Sequence, residues 1–149
     1  MNDPIKLAIM NYIQTRLNPL TMDEPATARV VQRKASLQAV SAITPALYFV
    51  AYPERKIEED TICITLEFSV VFQLFFTSGR DPGPTTDLFE AAVQQAIEAE
   101  DQLGGLVDWV KFESNNPFIL EDGGTDGGTI MQYTVQYRRQ RGAPDKRYA

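Results

Sequence analysis

Apolar and polar positions alternate most clearly over residues 61–79, TICITLEFSVVFQLFFTSG. The even positions are all apolar: Ile62, Ile64, Leu66, Phe68, Val70, Phe72, Leu74 and Phe76. The odd positions begin polar at Thr65, Glu67 and Ser69, then turn apolar at Val71 and Phe75. Period-two alternation predicts a β-strand with one face on a core. About 15 residues at roughly 3.3 Å each give a strand near 50 Å long, whereas a chain of this length has a radius of gyration of roughly 15 Å. Such a strand nearly crosses the molecule, and its far end is apolar on both faces. Contiguous exposed apolar surface marks an interaction site, so Val71, Phe72, Leu74, Phe75 and Phe76 are the expected interface with a second copy or another protein. The alternative is a long bent strand covered wholly by its own helices.

The remaining pattern predicts a helix from Asp3 as N-cap and Pro4 at the first position, with Ile5, Ala8, Ile9, Tyr12, Ile13 and Leu17 on one stripe. NPLTMDEPAT (18–27) reads as a loop. Residues 29–35 fit a short strand with basic residues outward, and 36–43 fit either a helical turn or more strand. PALYFVAYP (45–53) is a buried strand between prolines, ERKIEED a charged turn, and the long strand its antiparallel hairpin partner.

After the Gly- and Pro-rich TSGRDPGPTT, a second helix is predicted from near Thr86, with Asp87 and Glu90 resembling a capping box. Leu88, Phe89, Ala92, Val93, Ala96 and Ile97 face inward. Glu90, Gln94, Glu98 and Asp101 face water, and Gly104-Gly105 end the element. LVDWVKFES gives a further strand and NNPFILEDGGTDGG an irregular connection. In the last strand, TIMQYTVQYRR, Met131, Tyr133, Val135 and Tyr137 oppose Gln132, Thr134, Gln136 and Arg138. Strands in hairpin-like pairs, with helices before and between them, predict an α+β fold. It is a mostly antiparallel sheet with a long central strand or hairpin and two main helices packed on one face. Residues 1–139 form the domain and 140–149 a basic tail.

Composition sharpens the functional reading. The 149 residues are 44% hydrophobic and 23% charged, which suits one folded domain. The net charge of −6 is split. Residues 87–126 hold ten acids and one base, Lys111; residues 138–149 hold five bases and one acid, Asp145. The basic end suits nucleic acid, an acidic patch on a second copy, or plain solvation. The N-terminus does not read as a signal peptide, and no apolar run reaches the roughly 20 residues of a membrane helix. The expected compartment is cytosolic.

Catalytic candidates are few. The chain has no histidine, which removes His bases, His triads and most zinc sites. Cys63 is its single cysteine and lies mid-strand. EDGGTDGG (121–128) gathers three acids but lacks the calcium-loop spacing. Glu58, Glu59 and Asp60 are consecutive and splay apart. Glu67 suits a cross-strand base better than catalysis. Trp109, Tyr133 and Tyr137 could stack on bases, although alternation puts the tyrosines in the core. No nucleotide-binding glycine loop occurs. No enzyme, cofactor or metal site is expected.

The order of elements resembles that of phage tail terminator (tail completion) proteins. The likeness lies in the N-terminal amphipathic helix, PALYFVAYP, the long alternating strand, the helix running into LGGLVDWVKFES, and MQYTVQYRR. It implies a non-enzymatic virion protein, assembled in the host cytoplasm. Such a protein forms a ring, commonly hexameric, on the head-proximal end of the tail tube, stops tube growth and meets the head-side neck or connector protein. DNA would only pass through its lumen, and no membrane is involved. A ring needs a head-to-tail interface, for which the basic Arg138, Arg139 and Arg141 join the five apolar residues as candidates. Other expectations are a different neck, tube or baseplate subunit, a small-molecule-binding α+β domain, and a nucleic-acid binder using the basic tail.

Overall fold

The computed structural model describes residues 3–21, 28, 30–39, 45–77, 83–100, 102–119 and 126–148. Its organising feature is a pair of fifteen-residue strands, β4 (Cys63–Thr77) and β6 (Asp126–Gln140), antiparallel over their whole length from Cys63↔Gln140 to Thr77↔Asp126. Each outer edge of this pair is shared by two shorter strands. On β4, β2 (Ala46–Ala51) lies against residues 70–75 and β3 (Arg55–Glu59) against 64–67. On β6, β5 (Trp109–Ile119) lies against 127–136 and β7 (Ala143–Arg147) against the C-terminal end. The seventh strand, β1 (Val30–Arg33), runs parallel to β2. The molecule is α+β, with two helices and a curled, mixed seven-stranded sheet. One parallel pairing makes the sheet mixed rather than purely antiparallel.

ERKIEED is therefore a strand from Arg55 to Glu59, not a turn. Pro53 has no N–H and interrupts the edge, but the Tyr52 N–H donates to the Ser69 carbonyl at 2.9 Å and keeps the chain on it. The reversal falls at 60–62, where Asp60 Oδ1 accepts the Ile62 and Cys63 N–H groups, both at 2.8 Å. Those two donors hold the Asp60 carboxyl below its ordinary 3.8. Ile57 and Glu113 are extra residues in bulges of β3 and β5, and bulges add the local twist that curls a sheet.

Helix α1 (Ile5–Leu17) buries Ile5, Ile9, Met10, Ile13 and Leu17. Its N-cap is Pro4, with no side-chain cap bond, so Asp3 lies one residue outside the predicted role. Helix α2 (Gly83–Glu98) starts before Thr86, which places Asp87 and Glu90 inside the helix rather than across its N-terminus. Its stripe is rotated from the expectation. Phe89, Val93 and Ile97 are buried, Leu88 is exposed, and Glu90 is buried, accepting Thr129 Oγ1 at 2.7 Å. Buried carboxylates persist when hydrogen-bonded, and Thr129 supplies that bond from β6. Both helical stripes join the even-numbered side chains of β4, Leu47 and Phe49 of β2, and Met131, Tyr133, Val135 and Tyr137 of β6 in one core.

The segment after α2 turns through left-handed backbone at Leu103 (φ 42°), Gly104 (φ 70°) and Gly105 (φ 81°). Gly104 has a second reason to be glycine: a Cβ there would stand 2.8 Å from Cε2 of Tyr12, whose hydroxyl donates to Glu100. β5 extends through Asn115–Ile119, which the sequence placed in an irregular connection. Residues 120–125 of the Gly-rich stretch lie outside the described residues, while Gly127 and Gly128 already pair with Phe76 and Phe75. The basic C-terminal segment is not a loose tail. It folds back at Arg141–Gly142 as β7, and the Tyr148 N–H donates to the Arg138 carbonyl at 3.1 Å.

Candidate assembly surface

The five apolar residues expected at an interface are all inside the single chain. Val71 is 3% exposed, Phe72 and Leu74 0%, Phe75 1% and Phe76 2%. Phe72, Leu74 and Phe76 lie in the core that holds both helices. Val71 and Phe75 belong to the other face, which has its own cover. Phe75 packs with Ala46, Tyr48 and Val30 in a second, small cluster, the Tyr48 ring meeting it edge-on at 6.0 Å. Between them, Gln73 Oε1 accepts the Gln38 N–H at 2.7 Å and Gln73 Nε2 donates to the Gln38 carbonyl at 2.9 Å. The amide thus acts as one more strand residue, latching the segment around residue 38 across the sheet. The double-faced apolar end is a second core under the protein's own chain, and the exposure that would offer it to a partner is absent. The physical reason is the connection after β1, which the sequence pattern left ambiguous. Residues 40–44 of it lie outside the described residues.

Gln73→Leu tests this latch. The Gln38 N–H and carbonyl would lose both partners, which costs about 1–3 kcal/mol. Urea unfolding is expected to report that loss, with faster amide exchange at Gln38. Unchanged stability and exchange would mean the two bonds hold nothing in place.

The predicted basic contacts are engaged within the chain as well. Arg138 Nε lies 3.0 Å from Asp108 Oδ2, and Arg147 Nη2 lies 3.4 Å from Asp108 Oδ1 and 3.2 Å from the Val107 carbonyl. Arg141 Nε pairs with Glu59 Oε2 at 3.7 Å, and Arg139 Nη1 donates to the Gln140 carbonyl at 3.3 Å. The basic end answers this chain's own acids, each exposed pair contributing about 0–1 kcal/mol. These contacts fasten the β6–β7 reversal beside the β3–β4 turn, where the Arg141 N–H donates to the Ile62 carbonyl at 2.9 Å.

Other candidate chemistry fares similarly. Burial, then the neighbouring Asp60 charge, pushes the Cys63 thiol above its ordinary 9.0, the reverse of what a thiolate nucleophile needs. Glu67 pairs with Arg55 directly across the strands at 3.1 Å. Among the described residues, no group of three or more His, Cys, Asp or Glu is placed to hold a metal ion, and no helix is long and apolar enough to cross a membrane. Tyr133 and Tyr137 are core side chains, not stacking platforms. A shallow groove of ≈ 630 Å³ is lined by Glu100, Gln102, Asp108, Trp109 and Val110.

The sheet's margin is open to a partner. All five β3 residues are exposed, Ile57 among them at 44%, and Ile62 in the adjoining turn is 56% exposed. On the opposite margin Phe112 of β5 is 39% exposed. Sequence reasoning missed these three because an apolar residue in a charged run, or on the predicted core face of a strand, carries no local sign of lying at an edge.

No family model matches this chain. No curated protein matches it either.

Proposed function

We propose that this protein is a non-catalytic structural subunit of a phage tail, forming a ring at the head-proximal end of the tail tube. There it ends tube growth and joins the tail to the neck or connector protein. The observation that carries this reading is the fully paired β4–β6 ribbon, about 50 Å long at roughly 3.3 Å per residue, flanked on both sides by exposed strand edges bearing Ile57 and Phe112. A sheet with two different margins suits a head-to-tail ring, in which unlike patches of neighbouring copies meet. The acidic exposed residues of α2, Asp87 and Glu98, would suit a surface past which DNA moves without sticking, because phosphate is held by Lys and Arg. The compartment that follows is the virion, after assembly in the host cytoplasm.

Light scattering on the purified chain should give a closed oligomer, with six copies expected, and the protein should bind tail-tube ends rather than tube walls. Binding along the walls would instead indicate a tube, neck or baseplate subunit. A monomer at every concentration that ignores tube ends would sink the reading. A second reading, small-molecule binding, draws on the groove beside Trp109. Trp109 is the chain's one tryptophan, so its emission would report ligand entry directly.

A further inference from the structure

We propose that the segment after β1 docks on a second copy of the chain, Leu37 of one subunit entering the groove between α1 and α2 of the next. The proposal deepens the ring reading and rests on it for the closure of the assembly.

The outward side of the helical layer is nearly free of charge. The exposed residues of α1 are Leu7, Asn11 and Thr15. Asp87 and Glu98 of α2 lie about three turns apart on one flank, where Glu98 accepts the Tyr133 hydroxyl. The side towards α1 shows Leu88 and Gln95 instead. In a chain of which 23% is charged, such depletion marks the middle of a protein interface. Between the helices runs a groove of ≈ 290 Å³, lined by Pro19 and Leu20 just past α1 and by Ala92, Ala96 and Ala99 along α2. Arg16 and Gln95 complete the lining, and Arg16 Nε donates to the Ala96 carbonyl at 3.1 Å.

A matching projection is held on the other side of the sheet. Leu37 is 42% exposed and sits in a run, Ala35 to Ala39, with no charged side chain. The run is fastened on both sides of Leu37. The Lys34 N–H donates to the Phe49 carbonyl at 2.9 Å, and the Gln38 backbone is held by both bonds to Gln73. Gln38 Nε2 also donates to the Ser36 carbonyl at 2.8 Å. An apolar side chain presented on a preordered backbone gives up little freedom on binding. Gln73 projects from the face of β4 turned away from the helices. The segment and the groove therefore lie on opposite sides of the sheet, and no copy can fill its own groove. Two copies joined in this way keep one free segment and one free groove, the head-to-tail contact from which a ring is built.

Charge favours a second copy as the occupant. Directly after Ala99 comes the exposed Glu100, whose carboxylate accepts the Tyr12 hydroxyl and the Gly104 N–H and pairs with no cation among the described residues. The docking segment follows directly on Arg33, which is exposed and pairs with no acid among the described residues. Lys34 adds a second cation, its Nζ 5.1 Å from the centre of the Tyr48 ring. A basic approach to an acidic groove end orients the encounter.

Sedimentation velocity on the full chain tests this. The wild type is expected to assemble. Leu37→Asp, which removes the projection, and Ala99→Trp, which fills the groove, are each expected to run as monomers with unchanged circular dichroism, since both positions are exposed. An equimolar mixture of the two should give a dimer and nothing larger, because the Ala99→Trp copy brings an intact segment and the Leu37→Asp copy an intact groove. If the wild type assembles and both variants keep its mass, this docking is overturned while the ring reading stands. Monomeric variants whose mixture stays monomeric overturn the segment-in-groove contact. A wild type that is monomeric at every soluble concentration overturns the proposal, and binding to tail-tube ends then decides the ring reading alone.

Discussion

Phe72→Ala should lower the unfolding free energy by about 3–5 kcal/mol, the range for deleting a fully buried Phe ring. Phe72 sits where the two layers meet. Its ring lies 6.1 Å from that of Phe49 on β2 and 5.7 Å, edge-on, from that of Tyr133 on β6. The surrounding side chains project from paired strands and cannot collapse into the gap without breaking the β2–β4–β6 register. Against a typical total of about 5–15 kcal/mol, a loss of that size leaves the domain marginal. The melting temperature should fall by about 10 °C or more. Urea titration followed by far-ultraviolet circular dichroism checks the result, with Phe112→Ala as control. Phe112 also meets Tyr133, at 5.5 Å, but it lies at the exposed edge, and its removal is expected to cost much less. Equal losses in the two variants would mean that the helix-side core is not where the fold's stability resides.

At the alkaline end, stability is expected to hold up to about pH 10 and then to decline steeply, by about 1.4 kcal/mol per pH unit for each of two tyrosines. Burial pushes the Tyr133 phenol far above its ordinary 10.0, helped by the bond it donates to Glu98 at 2.9 Å. Burial does the same for Tyr137, followed by the charge of Glu54 and the hydrogen bond to it. Both shifts are upward, so their contribution is complete below the unfolded-state value of about 10. It is lost as pH rises toward the folded-state values, because the unfolded chain gives up its phenolic protons first. By pH 12 the two together remove about 5 kcal/mol. Guanidinium titrations between pH 8 and 12, with phenolate absorbance read in parallel, follow the effect. Replacing both residues with phenylalanine should flatten the decline, since Glu98 and Glu54 are exposed and simply take water. Tyrosines that ionise near pH 10 in the intact protein would refute the account.

Local pattern is legible where burial has a period. The alternation from residue 63 to 77 marks β4. The spacing of Ile5, Ile9, Ile13 and Leu17 marks α1, and Met131, Tyr133, Val135 and Tyr137 mark the inner face of β6. β3 is illegible because a strand exposed at every position has no apolar period to show. The pattern puts Glu90 on the wet face because a carboxylate reads as solvated. Its donor, Thr129, lies 39 residues on in another element. The basic segment after Arg138 read as a tail because its anchors, Asp108 and the Val107 carbonyl, are about as distant in sequence.

The sequence by itself determined that β4 has one wholly apolar face, that it is far longer than an ordinary strand, and that its second face is apolar at one end. Only the tertiary structure decided what covers that end. The parallel strand β1 packs Val30 against Phe75, the Gln38–Gln73 latch holds the chain beside it, and strand edges are left exposed. Burial is a relation between segments far apart in sequence. The solvation preference of a residue therefore shows that it needs a cover, and the path of the chain decides whether that cover is its own or a neighbour's.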